Sequence, residues 1–224
     1  MITRAQPSLR CLAAAIVLLL LESPPFAQQG LAQQGLAQQT PAEIVELDPA
    51  RTTVEITLDA FLHTVHGAFQ VKRGTITLAP ATPAPSPGDP PIEKADGLIV
   101  VDATSGNTDN DGRDKTMHRK VLESDKFPEV TFTPVEIRGR LAPEGDSQVT
   151  VRGTLGLHGQ NHDVTVPAKV HITQGQWTAD AEFAVPYVMW GLKNPSNLVL
   201  HVKDAVQVQV HAAGRIRPST AAAN

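Results

Sequence analysis

The stretch Thr154 to Ala168, TLGLHGQNHDVTVPA, carries two histidines, His158 and His162, four residues apart around a glycine. On a helix that spacing would put both imidazoles on one face and suit a metal. Here the residues between them are turn formers flanked by alternating apolar runs. The pattern predicts a hairpin loop with a histidine at each end, Gly159 supplying a positive φ. Zinc needs three or four ligands, and the sequence places no third. Asn107, Asp109 and Asp111, followed by Gly112, have the opening spacing of a calcium loop. The bidentate glutamate such a loop needs at its end is replaced by His118, and no helix precedes it. It reads as an acidic turn.

Nucleophilic chemistry has little to work with. The one cysteine, Cys11, opens an N-terminal apolar run, and no GxSxG, glycine-rich phosphate loop or HExxH occurs. Among the eight histidines, His63, His171, His201 and His211 fall at alternating strand positions, where an isolated imidazole faces water. Asp48, Asp59, Asp102 and Asp180 are the carboxylates that could meet in space. No residue is assigned a catalytic role, and no metal or cofactor is expected.

The elements that must hold any site have a period of two, the mark of half-buried strands. The inward faces supply the candidate ligand contacts, all apolar: Val54, Ile56 and Leu58, then Val65 and Phe69, then Ile99 and Val101, then Phe132. Leu155 and Leu157, Val164 and Val166, Phe183 and Val185, and Leu200 and Val208 continue the series. The last run is read as one face from Leu198 through Leu200, Val202, Val206 and Val208 to Val210. Pro134 shifts register and predicts an edge or a bulge. With about eight to ten strands and little helix, the chain is all-β. Short links favour antiparallel neighbours, and a sheet this long should close into a barrel or a sandwich.

Two segments break the pattern. Residues 80–91 are too proline-rich for a strand and read as an extended surface loop. Residues 107–128 admit one short helix capped by Asp114 and running to about Ser124, with Met117, Val121 and Leu122 as its apolar face. Beside a barrel, such a helix is a lid across one mouth. Met117 and Leu122 therefore join the candidate ligand contacts.

The chain has 224 residues, 41% hydrophobic, and a formal net charge of -4. Without a dense Lys/Arg stripe, this argues against nucleic acid as a partner. Residues 1–37 read as a Sec-type bacterial signal peptide and the start of a spacer: Arg4 and Arg10, then the apolar run Cys11–Leu21, with cleavage after Ala27, Ala32 or Ala37. An uncleaved anchor is the alternative. Residues 38–43 read as a disordered spacer, 44–216 as the folded domain and 217–224 as a disordered tail. The expected location is the periplasm or outside the cell.

Several segments resemble the YceI-like family of secreted bacterial lipid- or polyisoprenoid-binding proteins. They are Leu47-Asp48-Pro49-Ala50, the His63–Phe69 segment HTVHGAF, Val101–Ser105, the run of Arg113-Asp114, His118, Leu122 and Phe127-Pro128, and Gly153–Val166. Arg51 and Thr52 depart from the family's usual His and Ser, the proline insertion is an addition, and VPYVMWGLKNPS looks like a subgroup variant. The resemblance implies an extended, lipocalin-like antiparallel β-barrel with one short helix near a mouth. It also implies an elongated apolar pocket for a long isoprenoid or other apolar lipid, and brings no catalytic residues. The expectation is an exported lipid carrier with transient membrane contact. An enzyme acting on a small hydrophobic substrate in the same barrel, or a ligand-free interaction module, remain the alternatives.

Overall fold

The computed structural model describes residues 42–60, 64–79, 90–196 and 201–219. These lie in the compact unit Gln39–Asn224. Nine strands run antiparallel: β1 (Glu43–Leu47), β2 (Thr53–Asp59), β3 (Thr64–Leu78), β4 (Ile92–Asn107), β5 (Glu129–Arg138), β6 (Gly145–Leu157), β7 (Gln160–Thr173), β8 (Gln176–Val185) and β9 (Val206–Pro218). The sheet order is β1-β3-β2-β9-β8-β7-β6-β5-β4, and β3 also pairs β4 while β1 pairs β9. Both β1 and β2 lie between β3 and β9, end to end, so nine strands fill eight positions and the barrel closes. Closure leaves no long edge to aggregate.

The joint between β1 and β2 is a 3-10 turn, Pro49–Arg51. Asp48 caps it by accepting from the Ala50 N–H at 3.0 Å. Thr52, buried, donates to the Asp48 carbonyl and accepts from the Ala213 N–H of β9. The turn therefore stays inside the wall's hydrogen-bond network.

Alternation places the apolar set inward. Along β6, Ser147, Val149, Gly153, Leu155 and Leu157 are buried while Asp146, Gln148 and Arg152 are exposed. Pro134 is fully buried on β5 at a bulge between itself and Glu136, where a residue without an N–H costs no ladder bond. The expected bulge is present, but in a closed barrel Pro134 is not on an edge. Opposite it, a Cβ on Gly153 would come within 2.7 Å of the Phe132 ring, so this glycine makes room for the aromatic.

Some sequence expectations are corrected. The β6–β7 hairpin is tighter than expected. His158 (φ 53) and Gly159 (φ 77) form a two-residue turn of the kind whose twist matches the flanking strands, and His162 already lies in β7. The helix α1 spans Asp111–Thr116 and is capped by Asn110, whose Oδ1 accepts from the Arg113 N–H at 2.9 Å; Asp114 is not the cap. It passes into a wider π-type turn, Met117–Val121, and ends short of Ser124. The last face is not continuous through Val202: β9 begins at Val206, and Val202 makes only an isolated bridge with Ala60. Strands extend to Glu43 and Pro218, slightly past the domain bounds expected from sequence. The signal segment, most of the spacer, most of the proline-rich loop, His63, Leu198 and Leu200 lie outside the described residues.

Candidate functional site

The barrel has a helix-bearing end, where the β4–β5 segment, the His158-Gly159 turn and the β8–β9 segment gather. The largest apolar cluster sits there. Its buried members are Leu155, Leu157, Val185, Tyr187, Leu192 and Val208. From the candidate list it also includes Val54, Ile56, Leu58, Leu122, Phe132, Val164 and Phe183, all half-buried. The remaining described strand candidates face the same interior through their strand partners. Val65 pairs with Leu58 and Phe69 with Val54; Ile99 pairs with Phe132 and Val101 with Val130; Val166 is buried opposite Val151. Met117 reaches the space beside Phe69: a Cβ on Gly106 would lie 2.6 Å from Phe69 Cε1 and 2.7 Å from Met117 Cε.

Sequence reasoning missed a second cover over this end. Pro186–Leu192 turns across it, with Tyr187 and Leu192 buried and Val188 and Trp190 packed on the cluster. The Tyr187 hydroxyl donates to the Lys203 carbonyl at 2.8 Å, and burial, with Asp204 nearby, pushes its pKa up to about 12. Met189 at the tip is 84% exposed. The signal was a Tyr and a Trp in a non-alternating segment, too apolar for an ordinary loop.

The opposite end is filled by two smaller clusters, one around Leu78, Ala95, Ile137 and Val149, the other around Ile172, Trp177 and Ala212. Glu93, on the same face as its partner Ile137, is half-buried there; burial and the neighbouring Glu43 push its carboxyl above the usual range.

The motif residues outside the barrel hold the helix rather than react. Thr108 donates its N–H and hydroxyl to Asp114, while Arg113 donates to the Thr108 hydroxyl and carbonyl. His118 Nε2 donates to the Gly106 carbonyl at 2.8 Å, and its Nδ1 is hydrogen-bonded with Ser124 Oγ at 3.0 Å. A serine beside a histidine suggests a nucleophile, but Ser124 is 3% exposed, so the pair acts as a clasp. Two side-chain oxygens of the Asn107–Gly112 turn serve its own backbone: Asn107 Oδ1 accepts from the Asp109 N–H, and Asn110 caps the helix. Among the described residues no group of His, Cys, Asp and Glu could hold a metal ion.

The scattered carboxylates do not converge. Asp59 pairs with Lys203 at 2.6 Å, Asp180 with His211 at 2.7 Å, Asp102 with Lys72 and Thr104, and Asp48 caps its turn. His171 pairs with Asp146 and is exposed, as is His211. A groove of ≈ 750 Å3 lies on the outer wall, lined by Glu55, Arg138, Lys169, Asp180, Glu182 and His211 among others. These stand beside apolar residues such as Val149, Ala168 and Val210, so its lining is mixed.

The chain matches the YceI-like domain over residues 46–213. Among solved structures, a polyisoprenoid binding domain from Saccharophagus degradans, implicated in plant cell wall breakdown, shares the fold with a TM-score of 0.58 at 18% identity. It covers 80% of this chain and 100% of that one. BcnA of Burkholderia cenocepacia shares it with a TM-score of 0.57 at 18% identity, covering 75% and 98%. At such identities the likeness is one of fold. No curated protein matches the chain.

Proposed function

This chain belongs to the YceI-like domain family, and on that premise we propose that it is an exported carrier that holds a long apolar, isoprenoid-like chain inside its barrel. The observation that carries the proposal is the state of the inward wall. Val54, Ile56 and Leu58 face the interior of a closed barrel, yet each is only half-buried. A close-packed core would seal them. Residual exposure on an inward face supports internal space, and the lining around it is aliphatic and aromatic.

An apolar chain gains about 0.8 kcal/mol for each methylene it buries, so several isoprene units bind without a charged anchor after ordering costs. The proposed contacts are the inward residues of β2 to β9 named above, with Met117 and Leu122 from the cover. The name of the Saccharophagus relative, a polyisoprenoid binding domain, points the same way. Export rests on Arg4, Arg10 and the apolar run Cys11–Leu21. It places the carrier in the periplasm or outside the cell, where it meets membranes transiently to load or unload. Ser124 of the Ser124–His118 clasp is buried, which supports binding as the reading.

The test is native mass spectrometry of the protein purified from a bacterial envelope, followed by organic extraction and reloading with geranylgeraniol. A bound prenyl lipid, or stoichiometric uptake by the stripped protein, is expected. Protein that is always empty and takes up nothing would overturn the proposal.

A further inference from the structure

Among the described residues, three side-chain nitrogens are buried without a hydrogen-bond partner: His158 Nε2, His162 Nε2 and Trp177 Nε1. A buried polar atom left unpaired costs free energy, and in a native fold it calls for a reason. Their positions differ. His158 sits in the β6–β7 turn, its ring 4.5 Å from that of Phe127. Trp177 lies in the packed end, close behind Gly214. His162 is inside the wall at the covered end. It pairs across the ladder with buried Leu155, and it shares a face with Val164 and Val166.

The His162 ring lies flat on Trp190, with centroids 4.1 Å apart and planes 4° from parallel. Stacking fixes the imidazole plane, so Nε2 keeps its direction. Trp190 packs on the hydrophobic cluster of this end, whose Tyr187 hydroxyl is already committed to the Lys203 carbonyl. His162 Nε2 is thus an oriented, buried nitrogen on the inward face, at the end where the half-buried inward residues lie.

We propose that His162 Nε2 holds the polar end of the cargo, and that this end is a neutral hydroxyl, as in a prenyl alcohol or phenol. The inference rests on the carrier reading above. A hydroxyl both donates and accepts, so it satisfies either tautomer of the ring. A diphosphate would need cations, and among the described residues no Lys or Arg makes a hydrogen bond or ion pair with His162. The tail then runs from His162 along the inward faces of β2, β8 and β9.

The test compares geranylgeraniol with the hydrocarbon of the same chain lacking the hydroxyl, each titrated into the full chain and into His162→Phe. Phenylalanine preserves a flat ring for Trp190 and removes the nitrogen. The alcohol's affinity is expected to fall about tenfold in the variant, the order of one buried hydrogen bond, while the hydrocarbon's stays unchanged. Equal changes for both ligands would overturn the anchor and leave the carrier reading standing. Binding of neither ligand by the unaltered protein would overturn both. Should His162→Phe not fold, the imidazole 15N shift of His162 in the unaltered protein serves. It must move with the alcohol and not with the hydrocarbon; identical responses would overturn the anchor.

Discussion

Gly159 and Gly175 occupy equivalent places in two-residue turns, with φ of +77 and +71, each preceded by a non-glycine at positive φ. Their surroundings differ. A Cβ on Gly159 would meet Phe127 Cε1 at 2.6 Å, whereas on Gly175 the nearest atom is the Ile216 carbonyl oxygen at 3.6 Å. Alanine at Gly175 should cost about 1 kcal/mol for the left-handed backbone alone, and alanine at Gly159 about 2–3 kcal/mol, because the Phe127 ring must also shift. Urea denaturation of the two variants gives the difference directly. Tyr187 is the chain's one tyrosine, so its titration can be read by absorbance without assignment. Burial raises its folded pKa to about 12, above the unfolded value near 10. The folded state holds the proton longer, so its contribution to stability is complete below about pH 10 and is lost as pH rises towards 12. The phenolate absorbance should appear near pH 12 in the folded protein and near pH 10 in denaturant. These residue-scale features were only partly legible. The glycine of the hairpin announced a turn, but His158 at positive φ and the His162–Trp190 stack depend on a tight register and on a segment 28 residues downstream of His162.

At the scale of elements, strand periodicity was the strongest signal, and β6 to β8 follow it residue by residue because each buries one face only. It weakened where other forces act. On β3 Gln70 pairs with Asp102 but Ala68 with Asn107, so Ala103 to Gly106 bulge out of the ladder, where the Ser105 hydroxyl accepts from the Gln70 N–H. Sequence alternation puts Val202 on the face of the last strand, yet the Asp59–Lys203 pair and the Ala60–Val202 bridge tie it to the end of β2 instead. The short helix was visible through its apolar face. Its cap was not, since Asn110 and Asp114 are both good capping residues and only the fold assigns Asp114 to Thr108. Asp114→Ala should leave the buried Thr108 N–H and hydroxyl without their acceptor and cost about 1–3 kcal/mol. Faster amide exchange confined to residues 107–124, with the β6–β8 amides unchanged, is the expected signature; uniform exchange would show that the helix is not separately anchored.

For the whole molecule, closure and emptiness make opposite demands. A closed wall needs every strand position filled, while a cargo needs the inside under-filled. Inverting the ligand argument gives a prediction. Val54 is inward and half-buried, opposite Phe69 on one side and Val210 on the other. Val54→Trp in a full core would cost about 1–3 kcal/mol of overpacking. In an under-filled barrel it should be tolerated, with thermal stability held or raised and prenyl-alcohol uptake abolished. Loss of stability together with retained uptake would place the guest elsewhere. Composition could not decide this, because Val, Ile and Leu line packed and hollow barrels alike; only the burial of particular inward residues separates the two.

β1 and β9 lie side by side, Glu43 opposite Pro218, and just beyond them the Ser219 N–H donates to the Ala42 carbonyl at 2.7 Å. The polypeptide therefore traces almost a complete circuit. A short peptide splice from 219 to 42, with new termini cut at Gln174-Gly175, should yield a circular permutant with the same wall, and far-ultraviolet dichroism of the permutant would read this out.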